Sequence, residues 1–228
     1  SDRRQRQMCI RDRALMPYWR ESRRQMGRTT VTERDLLPIS TGALRGPLPI
    51  DAQGRCTSIA VGTYANDHHY PGEDWPLAPK SLRWGGRWSG TPFCIPFDAL
   101  ISDSIPNLVM AEKGFSVSHM ANGATRLQPL ILNLGQVAGL AAAMAVRHDC
   151  DLGDLHVEAI QSALIHEPQA PAAVLPIWDW PLWHPHWVKA QEQGLAQPEH
   201  LDAMGCLSGP RASTVSYTHL RAHETYTY

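Results

Sequence analysis

The segment Met110–Val146, MAEKGFSVSHMANGATRLQPLILNLGQVAGLAAAMAV, constrains the fold of this chain more than any other stretch. Just before and into it, Leu108–Ala111 is a continuous apolar run bounded by turn residues, which predicts a fully buried strand. A polar loop follows, and then a long helix of small and apolar residues. Pro129 suits that helix's first turn, where a missing N–H has no bond to lose. Arg147 and His148 fall in its last turn, where positive charge complements the helix dipole. Gly135, Gly139 and Ala143 recur four apart, hence on one face. A glycine disfavours a helix interior by ~1 kcal/mol, so two on one face predict close backbone packing there. A strand, a loop and a helix start in this order present free N–H groups, and roughly half a positive charge, to something anionic or electron-rich. Gly123 in the loop lets the backbone approach a ligand closely, and Arg126 adds a cation just before the helix. On these features alone, a well-packed core helix whose arginine caps a loop is the simpler reading.

The two chain ends are of a different kind. RRQRQMCIRDR (Arg3–Arg13) and VSYTHLRAHET (Val215–Thr225) have no apolar period. Both resemble translated DNA of a transposase-based sequencing adapter, so residues 1–13 and 214–228 are set aside. Without their six basic and three acidic residues, 21 basic against 22 acidic becomes 15 against 19. That balance gives no reason to expect nucleic acid, which needs a concentrated basic face. Cys56, Cys94, Cys150 and Cys206 are far apart and form no CxxC pair, which argues against a structural zinc site and leaves the compartment open. Leu130–Val146 is short for a membrane span, which needs ~20 apolar residues, and it carries Asn133 and Gln136. A buried core helix is expected instead.

Elsewhere the pattern is α/β. Thr29–Thr32 is β-favouring, Gly46–Gly54 is a turn region, and Thr57–Tyr64 reads as a strand. Residues 65–79 form a polar loop, and Trp84–Ile95 mixes aromatics with glycines as strands and tight turns do. A second amphipathic helix is expected over His156–His166, with Val157, Ile160 and Leu164 on one stripe. Pro168–Pro176 reads as a Pro/Ala-rich linker. Beyond it come Trp178, Trp180, Trp183 and Trp187, and a short helix over His186–Gly194.

NLVMAEK followed by GFSVSHMANGATRLQPLILNLGQVAGLAAAMAV resembles the C-terminal signature of the FAD-dependent oxidoreductases. RESRRQMG at Arg20–Gly27 and GTYANDHH at Gly62–His69 are also similar to that family, in the right order. The resemblance covers roughly Tyr18–Arg147. It implies an α/β fold, the C-terminal part of a two-lobed, Rossmann-like FAD-binding enzyme whose substrate lobe is a mixed β-sheet. Residues 14–106 would belong to the substrate lobe. Residues 107–167 would supply the return strand and helices of the FAD-binding lobe, and residues 168–213 a linker and Trp-rich appendage. It implies FAD as cofactor, with Ala111, Glu112, Lys113, Gly123, Arg126, Leu127, Gln128 and Pro129 near it. Many relatives have Gly-Arg where this chain has Glu112-Lys113. The GxGxxG turn that would hold the ADP half does not occur between residues 14 and 213.

The resemblance also places Asp67 and His69 at an Asp-x-His motif and His119 in the loop on the flavin side, as candidates for acid–base work. Histidine titrates near neutral pH, and each could take a proton as hydride leaves a small-molecule substrate. An exposed loop histidine is the plainer alternative for either. His68 and His69 are adjacent in sequence, an arrangement that seldom points two rings at one metal, and no metal is expected. Arg20, Arg23 and Arg24 could pair with a substrate carboxylate or form a solvated cluster. The electron acceptor is not legible. A competing reading is a non-catalytic carbohydrate- or protein-binding module built on Trp178, Trp180, Trp183 and Trp187.

Overall fold

The computed structural model describes residues 21–64 and 91–207. Asp67, His68, His69 and Arg20, the rest of residues 65–90 and both adapter-like ends lie outside them. Strand β1, Ser58–Gly62, pairs antiparallel with β2, Phe93–Pro96, in the register Ser58 to Pro96 and Gly62 to Phe93, with an irregularity between Ser58 and Ala60. Ile59, Ala60 and Ile95 are fully buried, as β-branched and small residues of a strand covered on both faces should be. A one-turn helix, α1 (Glu33–Leu36), precedes the sheet and is closed by Asp35, whose carboxylate accepts from the backbone and hydroxyl of Thr32.

Among the described residues four helices follow the sheet: α2 (His119–Thr125), α3 (Gln128–His148), α4 (Val157–Ile165) and α5 (Trp187–Ala196). Helix α3 buries Leu130, Leu134, Val137, Ala138, Ala141 and Ala145, an i, i+4, i+7 stripe that packs against β1. It ends at Asp149, whose left-handed φ of 50° lets the Cys150 N–H close on the Ala145 carbonyl at 3.1 Å. Helix α4 buries Val157, Ile160 and Leu164, the stripe expected from the sequence. Helices and a small two-stranded sheet are compatible with the expected α/β class.

Gly62 sets the join between sheet and helix. A Cβ there would collide with the Phe93 ring and lie 3.1 Å from Leu130 in the first turn of α3. The bare backbone at this position lets the end of β1 approach the start of α3.

Three expectations are corrected. Leu108–Ala111 is not a fully buried strand: Val109 makes one isolated bridge to Ile101, and Leu108 and Ala111 are exposed. The Leu108 carbonyl accepts from Ser102 and the Met110 N–H donates to Leu100, while the Leu108 N–H closes a turn on Ile105, so its apolar character does not translate into full cover. The stretch before Pro129 is not all loop, because residues 119–125 close into α2. The glycine face is not closely packed: a Cβ at Gly135 would make only an ordinary 3.6 Å contact with the Ala111 carbonyl, Gly139 meets nothing within 4 Å, and Ala143 is exposed.

Two buried glutamines tie distant backbone together. The Gln161 amide donates to the carbonyls of Cys56 and Ser58 at 2.7 and 2.8 Å, fastening α4 to β1. Gln191 of α5 accepts from the N–H groups of Val174 and Leu175 and donates to the Leu175 carbonyl. The Pro/Ala-rich stretch is thus held down, with Val174 and Leu175 buried in the main core.

Candidate functional site

The site is built from the residues that deliver α2 and the start of α3. Residues 29–32 run beside 115–118: the Val31 N–H donates to Ser116 at 3.0 Å, and the Ser118 N–H to Val31 at 2.8 Å. The Thr30 and Ser116 hydroxyls lie 2.8 Å apart. These bonds fix Ser118, whose hydroxyl accepts the Ala121 N–H at 3.1 Å and caps α2. At roughly 100° per residue, Thr125, Asn122, Arg126 and His119 fall on one side of α2, within about a third of its circumference. Their exposure runs from 0 % at Thr125, 1 % at Asn122 and 8 % at Arg126 to 56 % for the side chain of His119. A polar stripe therefore descends from solvent into the interior. At its buried end the Asn122 side-chain oxygen and the Thr125 hydroxyl oxygen have no hydrogen-bond partner. Buried acceptors without partners are uncommon, and each calls for a polar group to meet it.

Helix α3 begins two residues further on. Its N-cap is Leu127, with no side-chain cap, and its first turn contains Pro129 and no acidic residue. The positive end of this 21-residue helix thus has no acidic side chain of its own to complement it. Gln128 and Pro129 are exposed and Leu127 is half-buried. Ala111 and Glu112 are exposed, and the Lys113 ammonium lies 3.5 Å from the Glu112 carboxylate. Gly123 lies inside α2 and is buried, so it does not act as a loop glycine.

At the outer end of the stripe, His119 Nδ1 lies 2.7 Å from the Glu21 carboxylate, which also takes Arg24 at 2.5 Å. Burial pushes the Glu21 carboxyl up, but the hydrogen bonds and charges of His119 and Arg24 outweigh it and hold it below its ordinary value. Glu21 was not singled out in the sequence, since the pairing spans 98 residues. Asn122 and Thr125 were missed as well. The signal available for them was Ser118 ahead of Met120, Ala121 and Ala124, a cap followed by an apolar face. Arg24 is engaged with Glu21, while Arg23 is exposed.

Other reactive groups are placed away from chemistry. Burial pushes the Cys56 thiol to about 11 and the Cys94 thiol to about 12, so neither is a thiolate nucleophile at neutral pH. Among the described residues no cluster of His, Cys, Asp and Glu is placed to hold a metal. Of the four tail tryptophans, Trp187 is in the core and Trp180 packs against it, with His184 4.2 Å from the Trp180 ring. Trp178 lies against Gly205, and only Trp183, 86 % exposed, stands in solvent.

A family model described as FAD dependent oxidoreductase matches residues 5–164, well over half of the chain. The chain belongs to the FAD-dependent oxidoreductase family. Its cofactor is FAD and its role is that of a redox flavoenzyme. Curated proteins and solved structures gave no match. The residues around α2 and α3 of this flavoenzyme fit the cofactor. An uncapped helix start suits the electron-rich edge of the flavin ring.

Proposed function

We propose that this flavoenzyme removes hydride from a small organic substrate, with α2 and the start of α3 forming one wall of the flavin site. The observation that carries the reading is the start of α3, which has no capping side chain and no acidic residue in its first turn. When bound, FAD accepts the hydride and gathers negative charge along the N1/C2-carbonyl edge of its ring. The chain's contribution is orientation and electrostatics. The free N–H groups at the start of α3 would hold that edge, and Arg126 would add positive charge beside them. Glu112 and Lys113 directly follow Ala111, whose carbonyl lies beside Gly135 of the same helix.

His119, at the exposed end of the α2 stripe, takes the substrate proton as hydride leaves. Glu21 orients its ring through Nδ1 and remains a carboxylate across the neutral range. Asp67 and His69 belong to the same proposal as a second acid–base pair. A Rossmann-like lobe preceding these residues holds the ADP half of FAD, and the electrons leave to an acceptor of unassigned class.

The test uses the full-length protein without oxygen, with alcohols, hydroxy acids and amines as hydride donors. One donor class is expected to bleach the visible flavin band. His119→Gln is expected to keep FAD bound while slowing bleaching by ~100-fold at neutral pH, the scale of general-base catalysis. A folded protein that shows no flavin absorbance and takes up no added FAD overturns the proposal. So does an unchanged bleaching rate in His119→Gln, for the role of that residue.

A further inference from the structure

A cleft of about 480 Å³ runs between α4 and α5. Glu158, Gln161, Ser162, Ile165 and His166 line it from α4, and their spacing of i, i+3, i+4, i+7 and i+8 makes them one face of that helix. Leu195 and Ala196 line it from α5, and the turn at residues 53–56 adjoins the Glu158 end, where Arg55 meets Glu158. None of its lining residues belongs to α2 or α3, so it is separate from the flavin site.

Three hydrogen-bond acceptors gather within one turn of that α4 face. The Gln161 amide nitrogen spends its N–H groups on the Cys56 and Ser58 carbonyls. Its oxygen has no partner among the described residues, although Gln161 is only 1 % exposed, and that oxygen is not sealed by protein but borders the cleft. Glu158, one turn earlier, meets Arg55 through one carboxylate oxygen at 3.0 Å. The same guanidinium holds Asp51 at 2.8 Å. One guanidinium between two carboxylates leaves an excess negative charge beside Gln161. The Ser162 hydroxyl, on the same turn, is the third acceptor. The other carboxylate of the cleft, Glu192, faces His166 at 3.2 Å. His166 stands two turns, about 12 Å, along α4 from Glu158. Between these polar ends Ile165, Leu195 and Ala196 make the lining apolar.

We propose that this cleft binds a primary aliphatic ammonium ion. Such a group carries three N–H donors and no acceptor, which matches Glu158, Gln161 and Ser162. Its charge offsets the excess left by Asp51, Arg55 and Glu158, and its bonds to the carboxylate are charge-assisted. An unbranched hydrocarbon chain then lies against Ile165, Leu195 and Ala196 and leaves water. An anion would be repelled at the same place by Glu158. A neutral alcohol brings one donor and leaves the excess charge unmet. The binding uses no flavin, so it holds or fails independently of the flavin site.

The probe is n-pentylamine, titrated by calorimetry into the full-length protein without oxygen. A dissociation constant on the order of 1 mM is expected, the scale for so small a ligand. The neutral n-pentanol and the anionic pentanoate are expected to bind at least about tenfold more weakly. Glu158→Gln keeps the shape of the side chain and is expected to weaken n-pentylamine about tenfold. Ala196→Trp, at an exposed position, fills the apolar part of the cleft and is expected to weaken it by a similar factor. Melting curves show whether each variant is folded. Hydrogen exchange at saturating n-pentylamine is expected to slow across residues 158–166. Absence of n-pentylamine binding, or n-pentanol binding as tightly in the wild type, overturns the proposal without reference to any variant. Unchanged n-pentylamine affinity in folded Glu158→Gln, or protection confined to segments outside the cleft, overturns it as well.

Discussion

Replacing Arg45 with methionine is expected to lower stability by ~3 kcal/mol and to loosen residues 201–207 from the body. The Arg45 side chain is 7 % exposed. It donates to the carbonyls of Asp202 at 2.7 Å, Gly46 at 2.9 Å and Leu201 at 2.5 Å. Methionine fills a similar volume but leaves three carbonyls without their donor, and the loss of charge-assisted bonds to buried acceptors is what makes the effect large. The Leu44 N–H also bonds to the Ala203 carbonyl at 2.8 Å, so the two segments are joined by backbone as well. Denaturant unfolding gives the magnitude, and hydrogen exchange at residues 201–207 gives the location. Unchanged stability and exchange would mean that residues 201–207 are held without Arg45, by bonds such as those of Leu44 to Ala203 and Trp178 to Gly205. The result bears on function. If Arg45 fastens the tail, the tail is part of the scaffold beneath α4 and β1, and the binding-module alternative loses its independence from the flavin-site body.

A second substitution is expected to separate stability from cofactor binding. Leu127→Asp places a good capping side chain at the start of α3, where none exists. Aspartate at an N-cap stabilises a helix by ~1 kcal/mol, and the half-buried position gives the carboxylate room to reach the first-turn N–H groups. The same carboxylate occupies the donors assigned to the flavin and puts negative charge beside the ring edge. FAD affinity is therefore expected to fall about tenfold, equivalent to ~1.4 kcal/mol, and the flavin midpoint potential to move to more negative values. Thermal melting of the flavin-free protein, an FAD titration and a dye-coupled potential measurement read the three effects. A better cap with unchanged affinity and potential would place the flavin away from this helix end.

The parts of the fold that could be read from the sequence are those fixed by local period. Helix α3 has an apolar face long enough to declare itself, and Val157, Ile160 and Leu164 marked the buried side of α4. Helix α2 was hidden because Asn122, Gly123 and Thr125 are weak helix formers, and seven residues are too few for a period to emerge. Its existence depends on Ser118 being held by Val31, a contact between segments 87 residues apart that no window of sequence contains. The pairing of Glu21 with His119 and the two glutamine clasps are illegible for the same reason. The apolar run at Leu108–Ala111 carried a strand signal, but cover on its second side was never encoded locally. For the candidate site, the sequence pointed to the Arg126–Pro129 turn and to His119, while the Glu21 carboxylate beside His119 is visible only in the fold.

The account stands most directly on whether FAD contacts the junction of α2 and α3. Hydrogen–deuterium exchange of the full-length protein with and without FAD measures this at the level of peptides. The expected result is slowed exchange across residues 119–133, including the Gln128 and Leu130 amides at the open end of α3, with little change in α5. Bound FAD with no added protection at 119–133, or with protection confined to other segments, would contradict it.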